Sequence, residues 1–465
     1  MVKGARFTSP APSVIFASSF ASASLLEVFK KSVLKSGARG RDGISPKMLA
    51  SDIDTVVDRI SKQVLSGSYS FSPFREKLVL KSSTSLPRVI SVAGVRDRIA
   101  LKALANCLSE VTKIGYADLP QRIVAEVVDQ LGKSGRESFI RVDVKDFYPS
   151  ISHDVLLRRL RAYTRKPQLL KLVSEAISTP TMPAGQVSKV PRAVAGVPQG
   201  LSISNLLAEI YMKPIDRKLS RRTDISYFRY VDDILILCPS ASAAKVSESV
   251  ALLLGSVGLD IHPFGKGSKS ETGLVADGFP FLGYEFNSRE VSVRRTSVEK
   301  IENRIAKTLT HHKYADARSS GATGLPPDPE RAIWWLNLVI TGFTLDKKRY
   351  GWLNYFSQLT NVEQLLHLDR LVARLIRRQS SLSGASAKKF IQTYWIMRRR
   401  GKRSEGYIVN FDNLNDAEIT MVLLKYFAIS HYRIVRASPD QRREILMAKM
   451  QKVILDVEMD VGSPS

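Results

Sequence analysis

Tyr227-Phe228-Arg229-Tyr230-Val231-Asp232-Asp233-Ile234-Leu235-Ile236-Leu237 is the stretch on which the reading of this chain turns. Two aromatic and β-branched runs flank a pair of acids, the pattern of a hairpin with Asp232-Asp233 as its two-residue tip. Adjacent carboxylates at a partly buried turn repel one another unless a cation offsets them. Mg²⁺, a hard ion that keeps waters and substrate phosphates in its octahedral shell, is the natural counter-ion. A third carboxylate at the end of a neighbouring strand would complete such a site. Asp143, closing the apolar run Phe139-Ile140-Arg141-Val142-Asp143, is the candidate. Three such groups can hold two metal ions, one activating an attacking hydroxyl and the other stabilising a leaving pyrophosphate. Taken alone, an Asp-Asp pair is more often a plain polar turn.

Outward from that stretch, Ser202 reads as the cap of a helix carrying Ile203, Leu206, Leu207, Ile210 and Tyr211, ending or kinking near Pro214. A helix from about Ser152 carries Val155, Leu156 and Leu160 on one face. Upstream, Phe74 to Ile99 alternates Val and Leu with Arg75, Lys77, Lys81, Arg88, Arg96 and Arg98, which predicts strands with one basic face. For any single residue there, a solvated face is the plainer reading. Phe279 to Phe286 reads as a further strand pair. Beyond Val293, Val298, Ile301, Ile305 and Leu309 form a helical stripe with Lys300, Arg304 and Lys307 off it. Ser319 to Pro329 reads as a subdomain joint, and Arg398 to Arg403 is a basic run. The pattern is mixed helix and strand first, mostly helix later.

The 465 residues include 70 Lys and Arg against 44 Asp and Glu, a net charge of +26. That excess points to a polyanionic partner, nucleic acid ahead of an anionic membrane. No apolar run reaches the ~18 residues of a membrane span. Cys107 and Cys238 are the only cysteines, which excludes a disulfide scaffold and a four-thiolate zinc site and favours a reducing, cytoplasmic setting. Lys3 and Arg6 ahead of Val14 to Ala23 loosely imitate a signal peptide, but serines interrupt the apolar core and Glu27, Lys30 and Lys31 follow. The plainer reading is a tail over residues 1–23, then a helix with Leu25, Leu26, Phe29, Val33 and Leu34 as its stripe.

With these blocks in view, the chain resembles the reverse transcriptases. Phe139 to Tyr148 is similar to their first catalytic motif. Gly196-Val197-Pro198-Gln199-Gly200 through Ala208 is similar to their nucleotide-pocket motif and the helix after it. Phe228 to Asp233 matches the Tyr-x-Asp-Asp box, and Phe281-Leu282-Gly283-Tyr284 resembles the primer grip. Arg41 to Ser45, Arg88 to Ile90 and Asp97 to Ile99 resemble the early blocks of bacterial members. The likeness runs from about Ser24 to Lys313, with the blocks in order.

The resemblance implies an α+β, right-hand polymerase with fingers and palm over residues 24–293 and a helical thumb and nucleic-acid-binding region over 294–465. It implies Asp143, Asp232 and Asp233 as catalytic, metal-binding residues for two Mg²⁺, with Mn²⁺ as a substitute. Tyr148 falls at the steric gate that rejects a 2′-hydroxyl; an ordinary core aromatic is its other reading. Gln199 and Arg88 correspond to nucleotide-pocket residues, the guanidinium suited to bidentate pairing with a triphosphate. Leu86-Pro87 stand where many relatives carry a basic residue beside that arginine, and Lys81 is a candidate substitute. Lys266, or else Lys269, corresponds to the lysine facing the pyrophosphate. Phe281, Leu282 and Gly283 correspond to the primer grip. Asp146, His153 and His262 read as ordinary polar residues.

The implied partners are an RNA template, a DNA product and deoxynucleotides, held through a basic cleft. Among subfamilies, the short C-terminus and two cysteines argue against the zinc-bearing intron form, Val-Thr-Gly of the retrons is absent, and Ser204-Asn205 replaces the Ser-Gln of diversity-generating enzymes. Pro198 to Glu209 looks most like enzymes of antiphage defence, which implies a dedicated non-coding RNA as template. Two alternatives stay open: a non-catalytic RNA-binding maturase or scaffold, and a template-independent, protein-primed DNA polymerase. Whether the chain forms an oligomer stays open as well.

Overall fold

The computed structural model describes residues 10–34, 36–80, 86–115, 119–185, 190–287, 290–318, 328–382, 384–399 and 406–461. Lys3, Arg6, Lys81, most of the Ser319–Pro329 joint and most of the basic run after Arg399 lie outside them. The chain divides into two units, one made of Met1–Asp118 and Ile140–Thr272, the other of Leu119–Phe139 and Gly273–Ser465.

In the first unit, part of the stretch read as tail is helix. Pro12–Ser19 and Ser22–Val28, the latter running on to Val33 as a wider turn, bury Ile15, Phe16, Phe20, Leu25, Phe29 and Val33. They pack on the helices Ile53–Ser66 and Val95–Thr112. Ile53, Val57, Ile60 and Val64 recur at helical spacing and are buried, and Gly67, with φ 75°, ends that helix in the left-handed conformation glycine adopts freely. Among the described residues no single helix is long and apolar enough to cross a membrane.

The strands in chain order are β1 (Phe74–Val79), β2 (Arg88–Val92), β3 (Ser138–Asp143), β4 (Thr181–Met182), β5 (Ser226–Tyr230), β6 (Asp233–Cys238) and β7 (Glu271–Leu274). One sheet has the order β2-β1-β4 and another the order β5-β6-β3-β7, with β3 and β7 each crossing a unit boundary. In the β1–β2 hairpin Lys77 lies opposite Ile90 and Val79 opposite Arg88, so Lys77, Ile90 and Arg88 share a face. The predicted strand does not reach Arg96 and Arg98, because Val95–Thr112 is helical. Both arginines are committed to structure: Arg96 pairs with buried Asp97 and stacks over Tyr69, and Arg98 donates to Ser36 Oγ and the Ala38 carbonyl.

The acidic hairpin forms with its tip shifted one residue from expectation. Tyr230 pairs with Asp233, so the two-residue tip is Val231-Asp232 and Asp233 already belongs to β6. Two-residue hairpin loops favour turns with a positive φ at the first position, usually glycine. Here Val231 takes that place with φ 55°. A β-branched residue there costs about 1–2 kcal/mol. The helix expected from Ser202 starts at Ser204 and runs through Pro214 to Ser220. Leu206, Leu207, Ile210, Tyr211 and Ile215 are buried along it.

The second unit is mostly helical, as the stripe beyond Val293 predicts. Ile301, Ile305 and Leu309 are buried along Arg295–Arg318. A small sheet of β8 (Phe279–Phe281), β9 (Tyr284–Phe286) and β10 (Val291–Val293) lies in the same unit. Leu282 and Gly283, with φ 47° and 82°, turn the β8–β9 hairpin. Tyr284 donates to the Tyr355 carbonyl at 2.7 Å and meets Phe356 edge-on.

Candidate active site

Asp143 ends β3, with its side chain 19% exposed. The segment from Asp260 to Ser270 holds that strand end. Lys145 N–H donates to the Asp260 carbonyl at 2.8 Å, His262 N–H to the Asp143 carbonyl at 3.1 Å, and Asp143 N–H to buried Ser270 Oγ at 3.1 Å. The Asp143 carboxylate faces His262 Nε2 at 3.3 Å and Lys269 Nζ at 4.0 Å. His262, which reads as an ordinary polar residue in the sequence, therefore stands beside the first carboxylate. Of the two candidate lysines, Lys269 is the one brought to it. Lys266 is exposed on the same loop.

Asp232 and Asp233 lie half-buried at the β5–β6 turn, and β6 is the sheet neighbour of β3. Behind the turn is Arg229, a residue absent from the sequence candidates. It donates to Asp216 at 2.8 and 2.7 Å, to Glu209 at 3.1 and 2.7 Å, and to the Val231 carbonyl at 2.9 Å. Burial alone would depress its guanidinium, but the flanking Asp216 and Glu209 hold it well above its usual value. Tyr227 also donates to Asp216, at 2.8 Å, and burial pushes its phenol far up. Asn205, Glu209 and Asp216 fall at helical spacing on one side of a helix whose other side buries Leu206, Leu207, Ile210 and Tyr211, a signal that could have exposed this network.

Tyr148 is positioned from three sides. Asp146, with φ 42°, turns the chain into the short helix Phe147–Ser150. The Tyr148 carbonyl accepts from Val197 N–H at 2.9 Å, and its hydroxyl donates to Asn205 Oδ1 at 2.8 Å. Burial, then the negative charge of Asp232 and Glu209, raises its phenol above the usual range. The ring is thus within electrostatic reach of the acidic turn.

Gln199 and Gly200 are stitched to β2. Ser91 N–H donates to the Gln199 carbonyl at 2.7 Å, and a Cβ on Gly200 (φ 95°) would lie 2.6 Å from Ile90 Cγ2. Only glycine permits that approach. Because Ile90 and Arg88 share a strand face, Arg88 stands on the side that meets the Gln199–Gly200 turn. Gly196 is tied to Ile151 through its N–H and accepts at its carbonyl from His153 Nε2 at 2.7 Å, a structural use for that histidine. Hydrogen bonds thus tie β2 to Gln199, Val197 to Tyr148 and Tyr148 to Asn205, all in one unit. Phe281, Leu282 and Gly283 lie in the second unit, on the β8–β9 turn, where Gly283 packs against Phe356.

The donor set suits a hard divalent ion: three half-buried carboxylates, two on one turn and one on the neighbouring strand. Among the described residues no three His, Cys, Asp or Glu side chains stand close enough to hold an ion unaided. Water and substrate phosphates would supply remaining ligands, as Mg²⁺ ordinarily requires.

An acid-tipped hairpin beside a strand-end carboxylate, with a glycine-dependent turn and an aromatic ring around it, is an arrangement able to gather metal-bound phosphates in one place. The family model described as reverse transcriptase (RNA-dependent DNA polymerase) matches residues 79–286. The chain is 23% identical to Protein YkfC of Escherichia coli (strain K12) over 328 residues, 60% of this chain and 82% of YkfC. It is 27% identical to the Retron Mx162 reverse transcriptase of Myxococcus xanthus over 179 residues, 32% of this chain and 36% of that enzyme. The chain thus spans about a third of the retron enzyme's length. A solved structure of apo telomerase from Candida Tropicalis, truncated from its C-terminal domain, aligns at a TM-score of 0.37 and 14% identity, covering 48% of this chain and 55% of that one.

Proposed function

We propose that the protein is an RNA-directed DNA polymerase in which Asp143, Asp232 and Asp233 hold two Mg²⁺ ions, with Mn²⁺ able to replace them. When bound, those ions would activate the primer 3′-hydroxyl and neutralise charge on the departing pyrophosphate. The chain's own residues do the rest. Tyr148 underlies the sugar of the incoming deoxynucleotide, Gln199 lies against that nucleotide, and Arg88 pairs with its triphosphate through a bidentate guanidinium. Lys269, 4.0 Å from Asp143, is favoured over Lys266 as the lysine on the pyrophosphate side. Phe281, Leu282 and Gly283 grip the primer. Residues 24–293 serve as fingers and palm, and 294–465 as thumb and nucleic-acid-binding region.

The observation that carries this reading is the chain of hydrogen bonds that ties β2 to the Gln199 turn, Val197 to Tyr148 and Tyr148 to Asn205, because a polymerase must align triphosphate, sugar and metal carboxylates in one place. The form of Pro198 to Glu209 further favours copying of a dedicated non-coding RNA in antiphage defence. The test is deoxynucleotide incorporation by purified protein with Mg²⁺ beside an Asp232→Ala/Asp233→Ala variant, with copurifying RNA and product both sequenced. DNA complementary to that RNA, lost in the variant, supports the whole reading. DNA without a matching template refutes the templated part, and no incorporation on supplied or endogenous RNA favours a scaffold.

A further inference from the structure

The Asp232–Asp233 turn is held in a backbone conformation that its own sequence disfavours. Val231 is β-branched and occupies φ 55° where glycine is usual. Such a conformation persists only where surrounding contacts over-determine it. A contact that reaches this turn is made by Arg229, whose Nη1 donates to the Val231 carbonyl at 2.9 Å. That carbonyl belongs to the peptide joining Val231 to Asp232. Because the peptide is planar, fixing its oxygen also fixes the nitrogen from which Asp232 hangs.

Arg229 is in turn immobilised with unusual completeness. A guanidinium has five N–H donors in a rigid plane. All are used: Nε on Asp216 Oδ1, Nη1 on Glu209 Oε1 and the Val231 carbonyl, and Nη2 on Glu209 Oε2 and Asp216 Oδ2. The Arg229 side chain is 6% exposed, and those of Glu209 and Asp216 are 14% and 18% exposed. Both acids project from the Ser204–Ser220 helix, which also carries the Asn205 that receives the Tyr148 hydroxyl. One helix face therefore braces both the sugar-contacting ring and the acidic turn.

We propose that Arg229 is a positioning residue that clamps the Val231–Asp232 peptide onto the Glu209–Asp216 face of the Ser204–Ser220 helix and so sets the aim of the Asp232 and Asp233 carboxylates. This rests on the reading of those carboxylates as metal ligands. Lysine cannot replace Arg229, since three donors on a flexible stem cannot satisfy two carboxylates and a carbonyl at fixed angles. Removing the charge alone would strand two partly buried carboxylates, so a simple truncation would confuse positioning with folding.

The experiment uses the full chain and compares wild type, Arg229→Lys, Arg229→Lys/Val231→Gly and a charge-free Glu209→Gln/Asp216→Asn/Arg229→Met variant. Mn²⁺ binding is read directly by electron paramagnetic resonance, alongside Mg²⁺ titrations of primer extension and thermal unfolding. Arg229→Lys should raise the half-saturating ion concentration about tenfold and lower kcat, leaving the deoxynucleotide KM within about twofold. Adding Val231→Gly should recover much of the loss, because glycine adopts the turn without the clamp. The charge-free variant, folded by its unfolding transition, should show the same metal defect; it decides the matter if Arg229→Lys does not fold.

Unchanged ion dependence in a folded Arg229 variant would overturn the proposal, as would a Val231→Gly effect that simply multiplies the Arg229→Lys loss. Wild-type Mn²⁺ binding and incorporation in Asp232→Ala/Asp233→Ala would instead overturn the ligand reading beneath it.

Discussion

The Tyr148 hydroxyl donates to Asn205 Oδ1 at 2.8 Å, so the ring proposed to lie beneath the incoming sugar is tied at its far end to the helix that follows the Gln199 turn. Tyr148→Ala removes the ring and should admit ribonucleotides, lowering the preference for deoxynucleotides at least tenfold. Asn205→Ala frees the ring and should lower the preference by a smaller factor. Single-nucleotide primer extension with matched deoxy- and ribonucleotides reads both. Equal discrimination in wild type and Tyr148→Ala would remove Tyr148 from sugar selection.

Gly200 tests the stitching of β2 to the nucleotide turn. An alanine there would meet Ile90 Cγ2 at 2.6 Å and the Ser91 carbonyl at 3.1 Å, on a backbone with φ 95°. Overpacking of this kind costs about 1–3 kcal/mol, with left-handed strain added. Gly200→Ala should lower Tm by several degrees and raise the deoxynucleotide KM, because it displaces the strand that carries Arg88. Calorimetry and steady-state kinetics check the two effects separately.

The two loop lysines should behave differently. Both are exposed, but only Lys269 has an ion pair with Asp143 among the described residues, at 4.0 Å. Lys269→Ala should lower kcat by about 10²-fold, within the range of general-acid effects. Lys266→Ala should stay within about threefold, an ordinary surface change. Pre-steady-state incorporation separates them, and a larger loss from Lys266→Ala would reverse the assignment.

Neither thiol should react in the native chain. Cys107 and Cys238 are both buried, and burial pushes the Cys107 thiol up to about 12. At pH 8 its thiolate population is roughly 10⁻⁴, far below that of an exposed cysteine. A chromogenic disulfide reagent should count no thiols before unfolding and two in concentrated guanidinium. Fast native labelling would show that the Val95–Thr112 helix opens readily.

The acids and their partners differ in how far the sequence exposes them. Asp143, Asp232 and Asp233 each end or interrupt an apolar run, and Gly200 sits in a recognisable turn, so residue type and order suffice to put the acids at a strand end and a neighbouring hairpin turn. The one-residue shift of the hairpin tip was hidden because no local pattern favours a left-handed valine; the Arg229 contact beneath it is tertiary. Arg96 and Arg98 read as a strand's basic face, yet Asp97 and the Ser36–Ala38 backbone claim them within a helix. His262 offered no signal, since its place beside Asp143 depends on the pairing of Val144 with Ile261. Glu209 and Asp216 were legible as a polar stripe on a buried helix, but a stripe does not name its partner.

The helices at Pro12–Ser19 and Ser22–Val28 give the region that carries the proposed site a different minimum size from the one its motifs mark out. Phe16, Phe20, Leu25, Phe29 and Val33 are each at most 3% exposed, and each such side chain contributes about 2 kcal/mol of burial. Together that is on the order of the whole net stability of an ordinary domain. A fragment cut to the catalytic blocks would carry every acid and the complete nucleotide turn, yet expose a greasy trough along Val95–Thr112. Such a fragment would precipitate before it polymerised. Retention of the proposed activity would therefore depend on helices that lie outside the residues proposed for the site.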